Sequence, residues 1–167
     1  VPRALQERLK AWLRGFVGEA QAAQTDVPFT PSELIERMGR KLNNEASVLT
    51  WAARNGVKIY CPALTDGLLG TVLVELHAEG APHLTIDIVR DLRLLNTTSI
   101  HAVHTGVIIL GGGVMKHHIL NANLMRNGAD YAIFINTAGD FDGSDAGARP
   151  DEAVSWGKVR VEARSVK

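Results

Sequence analysis

Lys158 follows Trp156 and Gly157, and by type it is the side chain best suited to amine chemistry. A lysine becomes nucleophilic when burial or nearby cations favour its neutral form, and an indole wall can exclude water or stack on an alkylammonium. A surface lysine would do none of this, and spacing alone leaves both readings open. Upstream, Asp140, Asp142, Asp145, Asp151 and Glu152 face one cation, Arg149. Carboxylates so crowded repel unless a cation, such as a polyamine or a metal, sits among them. Asp151 and Glu152 also suit a helix start after Pro150. Asp142 and Asp145 lie in a glycine-rich loop and fit that second explanation less well. His117 can act as a general acid or base. Its neighbour His118 points about 100° away around a helix and cannot easily share its site. His77, His83, His101 and His104 have no convincing partners and read as structural. The spacing needed for a zinc site is missing, so no metal is expected.

A second kind of chemistry lies at strand ends. The apolar run Val107–Leu110 ends in Gly111-Gly112-Gly113, ahead of a helix. Glycines let backbone approach a phosphate or sugar, and a helix start offers free N–H groups. The pattern is not G-x-G-x-x-G, so a plain tight turn fits equally well. Asp66, in Cys61–Gly67, could hold a ribose hydroxyl or simply cap a turn. Thr137 and Ala138 follow a third apolar run. Ligands of open parallel sheets bind beyond the carboxyl ends of the strands, so these three ends could line one crevice.

These groups need a scaffold. Leu5, Leu9, Trp12, Leu13 and Phe16 recur at helical spacing and predict a helix from residue 2 to about 22. Thr30-Pro31-Ser32-Glu33 predicts a capped helix start, and Asn43-Asn44 its end. Another helix is expected from about Glu45 to Arg54, ending at Asn55-Gly56. From there strands are expected at 57–61, 84–87, 106–110, 130–136 and 159–166. Helices are expected at 67–76, from about Ile88, at 116–125 and from Pro150. The expectation is one α/β domain over residues 1–167, with a helical lead-in (1–55) and an alternating part (56–167). Its sheet would be Rossmann-like, doubly wound, mostly parallel and covered on both faces, the C-terminal part of a larger domain. Crossovers should be right-handed.

Composition narrows the function classes. The 167 residues carry 18 basic and 18 acidic side chains, so no net field draws in nucleic acid or an anionic membrane. A single cysteine, Cys61, excludes an internal disulfide and fits a reducing compartment. Neither a membrane-spanning apolar stretch nor a signal-peptide pattern is visible. A cytoplasmic location is expected.

Four long segments carry a family resemblance: Gly111–His118, Asn121–Ala132, Phe141–Arg149 and Pro150–Lys158. With Pro62–Gly67 and Asp91–Asn96, they closely resemble the deoxyhypusine synthases, over roughly residues 28–167. The resemblance implies an NAD-dependent transferase. It would oxidise spermidine, release diaminopropane and hold the four-carbon fragment as an imine on Lys158. A lysine of translation initiation factor 5A would then receive the fragment. His117 matches the histidine that assists proton transfer. Asp145, Glu152 and Trp156, with Gly143 and Ser144, match the polyamine pocket. Asp66, Gly111, Gly112, Thr137, Ala138 and Asp142 match the NAD contacts. Thr71 stands where the family usually has an aspartate, and Phe134 where it often has a tyrosine. The family's N-terminal half and the strand beyond Lys167 have no counterpart here. A tetramer is implied, with another chain or a paralogue supplying the missing half. Two further readings are a homospermidine synthase acting on putrescine and a non-catalytic regulatory paralogue.

Overall fold

The computed structural model describes residues 2–166. The chain forms two compact units, Val1–Asp91 and Leu92–Lys167. No helix among the described residues is long and apolar enough to cross a membrane.

The first unit is helical. Helix α1 (Arg3–Ala23) buries Leu13, Phe16, Val17 and Ala20, which share one face at helical spacing. Leu5 and Leu9, expected on that face, are exposed. Helix α2 (Pro31–Leu42) starts as its sequence dictates. Thr30 Oγ1 accepts the Glu33 N–H, the Glu33 carboxylate accepts the Thr30 N–H, and Pro31 fills the first turn. It ends at Asn43 in the left-handed conformation. Helix α3 (Val48–Arg54) packs so closely on α2 that a Cβ at Gly39 would lie 2.2 Å from the Leu49 carbonyl oxygen. Helix α4 (Leu68–Ala78) adds Val72 to a core shared with Phe29 and Leu34, and Lys10 and Arg14 of α1 pair with its Glu75.

Two expected strands do not form here. Residues 57–61 have no ladder, and Val57 is exposed. The segment at 84–87 shrinks to one parallel bridge, Ile86 to Phe29. Apolar alternation makes a strand only where a neighbouring backbone satisfies its polar groups, and these runs find none or one.

Helix α5 (Ile88–His101) starts with Asp87 Oδ1 accepting the Arg90 N–H at 2.9 Å, and it leads into the second unit. That unit holds a parallel sheet in the order β1 (Gly106–Leu110), β2 (Ala129–Ile135), β3 (Val159–Val166). Helix α6 (Val114–Leu124) links the first pair and α7 (Pro150–Ser155) the second. Crossovers of one hand moving one way across a sheet place their helices on one face. Accordingly Leu120 of α6 and Ala153 of α7 share a core with Val107, Ile109, Ala132, Phe134 and Val159. The alternate residues Ile108, Leu110, Ile133 and Ile135 are exposed. The sheet is thus covered on one face, where two covered faces were expected.

Arg126 clamps the start of the sheet. Its guanidinium donates to Thr105 Oγ1, to the Gly128, Ala102 and Val103 carbonyls, and to Asp130 Oδ2 at 3.0 Å. The Asp130 carboxyl is held below the usual carboxylate range, first by the Thr105 N–H and then by Arg126 and Arg160, against desolvation.

Candidate active site

Every expected catalytic and polyamine-pocket residue lines one cavity of about 860 Å³ in the second unit. His117, Gly143, Ser144, Asp145, Glu152, Trp156 and Lys158 lie on its wall, with Leu120 and Phe134 beneath. His117 and Lys158, 41 positions apart in sequence, line one cavity because α6 and α7 share a face of the sheet. Lys158 is set by its backbone: its N–H donates to the Ala153 carbonyl at 2.9 Å, and its carbonyl accepts the Ala129 N–H at 3.0 Å. Gly157, at φ 71°, makes the reversal between α7 and β3 that brings the lysine inward.

The acidic loop folds over the start of α6. Asp145 Oδ2 accepts the Gly113 N–H at 2.7 Å, and Asp145 Oδ1 lies 2.9 Å from His117 Nε2. The Asp142 carboxylate bonds within the loop, to the Gly139 N–H at 2.7 Å. Arg149 stands 3.4 Å from Asp151. Two of the crowded carboxylates, Asp145 and Asp151, thus find cations within the chain, and Asp142 takes a backbone N–H. Lys116 is the cation that sequence reasoning passed over. It is buried, its ammonium donates to the Asp145 carbonyl, and it sits 5.5 Å from the centre of the Phe134 ring. A lysine followed by two histidines at a helix start carries no sign of burial, since the groups that bury it lie elsewhere in the chain.

The expected cofactor residues lie outside this cavity. Gly111 and Gly112 end β1, and Thr137 and Ala138 follow β2; the two strand ends adjoin, because the Gly111 N–H donates to the Ile135 carbonyl at 2.8 Å. A Cβ at Gly112 would lie 2.6 Å from Ala146 Cα, so this glycine admits the chain's own loop. Gly111 and Gly113, at φ 81° and 77°, face open space. Asp66 belongs to the first unit, in a turn where its N–H donates to the Ala63 carbonyl. The cavity is also less dry than expected, because Trp156 is 70% exposed.

The family model described as deoxyhypusine synthase matches residues 1–167. The chain belongs to the deoxyhypusine synthase family. It is 58% identical over 151 residues to the deoxyhypusine synthase of Senecio vernalis, spanning 89% of this chain and 40% of that protein. The deoxyhypusine synthase of Musa acuminata is 50% identical over 171 residues, covering this whole chain and 45% of that protein. A crystal structure of a putative deoxyhypusine synthase from Entamoeba histolytica superposes with a TM-score of 0.75 at 51% identity. That match covers 98% of this chain and 59% of the other. The chain thus spans less than half the length of these two curated deoxyhypusine synthases.

Proposed function

We propose that this chain carries the lysine-bearing part of a deoxyhypusine synthase active site. The observation that carries the reading is that Lys158 and the His117–Asp145 pair line one cavity with Glu152 and Trp156. The activity is an aminobutyl transfer from spermidine to a lysine of translation initiation factor 5A, in a cytoplasmic tetramer.

The cavity's own groups suit each step. Glu152 offers a carboxylate to an ammonium of the polyamine, and Trp156 an aromatic face. Lys158 attacks the oxidised polyamine carbon, its nitrogen forming the C=N bond as diaminopropane leaves with the displaced electron pair and a proton. His117 moves that proton, with Asp145 stabilising its imidazolium. The amine of the acceptor lysine then displaces Lys158, which returns to its free form.

The strand-end turn suits a dinucleotide. Gly111 and Gly113 leave open space beside the backbone, at the carboxyl ends where such ligands bind. Within the second unit, Thr137, Ala138, Asp142, Gly111 and Gly112 would hold NAD; the Gly113 N–H is already given to Asp145. When bound, NAD supplies the acceptance and later return of a hydride.

The decisive test is borohydride trapping on the assembled enzyme with spermidine and NAD. Label on Lys158 is the expected result, and label on any other residue defeats the reading. Offering factor 5A or putrescine as acceptor separates protein modification from homospermidine synthesis.

A further inference from the structure

Lys116 lines the same cavity, yet the transfer chemistry gives it no task. Its side chain is 7% exposed. A buried ammonium is costly unless polar groups compensate it. Three do so: the Asp145 carbonyl, Asp145 Oδ1 at 3.9 Å, and the Phe134 ring at 5.5 Å. Phe134 belongs to the rigid sheet, and Asp145 to the acidic loop. The ammonium therefore bridges the sheet and the loop that follows the short 3-10 turn Asp140–Asp142.

Two other contacts tie Asp145 to the start of α6, the Gly113 N–H at 2.7 Å and the His117 side chain at 2.9 Å. Phe141, the loop's large apolar residue, is fully exposed. The Asp142 carboxylate bonds only within the loop, and the His117 side chain that meets Asp145 is 56% exposed. Half-exposed ion pairs contribute little, because water competes for both partners. The close approach of Gly112 to Ala146 permits docking, but a missing side chain supplies no attraction.

We infer that Lys116 is a positioning residue, a latch that fixes residues 139–147 on the start of α6 and holds Asp145 in register with His117. Its consequence for catalysis rests on the transfer reading above; the latch itself stands on contacts within the second unit. Release of the latch frees the loop that carries Gly143, Ser144 and Asp145. Polyamine capture then suffers more than the chemistry on Lys158.

The test compares Lys116→Met, which keeps the apolar stem, with Lys116→Arg, which keeps the charge. Amide exchange followed by NMR on the 167-residue chain reads the latch. In Lys116→Met the Gly113 N–H, whose acceptor is Asp145, exchanges about tenfold faster or more, while the Ala129 N–H in the sheet keeps its rate. Lys116→Arg restores slow exchange at Gly113. Unchanged exchange at Gly113 in Lys116→Met overturns the latch, and so does equal acceleration at Ala129, which would mark a general loss of stability. In the assembled enzyme, Lys116→Met raises the half-saturating spermidine concentration about tenfold, with Lys158 still trapped at saturation. A fall in kcat with no change in spermidine dependence also overturns it. If the exchange result holds and the unsubstituted enzyme traps no adduct on Lys158, the transfer reading fails and the latch stands.

Discussion

His117 Nε2 and Asp145 Oδ1 lie 2.9 Å apart, although one belongs to the helix after β1 and the other to the loop after β2. The same carboxylate takes the Gly113 N–H through its other oxygen. One side chain thus orients the histidine and ties the loop to the triglycine turn. Asp145→Asn removes the charge that stabilises an imidazolium while keeping the shape. We expect a fall of about 10²-fold in transfer rate, the scale on which positioned acid–base groups act, measured under saturating spermidine. Stability should change by no more than about 1 kcal/mol, because the pair is partly exposed and screened.

Lys158→Arg should abolish the borohydride-trapped adduct, since a guanidinium cannot give up its proton to become the attacking nitrogen. Thermal unfolding should stay close to that of the unsubstituted chain, because Lys158 enters the hydrogen bonding of α7 and β2 through its backbone. Mass spectrometry of the trapped protein and a melting curve check both halves.

Gly112→Ala and Gly111→Ala should fail in different ways. At Gly112 a Cβ meets the Ala146 backbone at 2.6 Å, so the loop must move away. The cost is about 1–3 kcal/mol, with loss of the His117–Asp145 contact and of activity. At Gly111 nothing lies nearby, and the cost is the left-handed backbone alone, about 1–2 kcal/mol. Denaturant midpoints and spermidine dependence of the rate distinguish displacement from strain.

Asp130 gives the fold a specific acid sensitivity. Its folded carboxyl is held below the usual range, mainly by the Thr105 N–H and then by Arg126. Its contribution is therefore complete above the unfolded value, about 3.9. It is lost as pH falls through the lower folded value. Asp130→Asn should melt at lower temperature near neutrality and lose less on acidification from about pH 5 to pH 2. Melting temperature against pH for the two proteins is the measurement.

Much of this was legible in the residues because it is local. The Thr30–Glu33 capping box, the Asn43 stop and the β1, β2 and β3 segments follow from residue type and period over a few positions. The strands expected at 57–61 and 84–87 followed from the same reasoning, and there it did not suffice. Alternation says which side of a strand would be apolar, but a ladder needs a neighbour that no short window contains. The residues expected at the polyamine pocket were named from motifs in order, and the structure brings them to one cavity.

What the order of residues determined by itself is therefore the set of helices and strands of the second unit, and which side chains are candidates for its chemistry. Backbone preference and capping act within a turn or two, so a single chain segment contains their causes. Tertiary structure alone decided that Lys116 is buried beneath the acidic loop and that Gly112 exists to admit Ala146. It also decided that one face of the sheet carries both helices. Those facts depend on which distant backbone arrives at a given point, and burial is the property of a place that several segments make together.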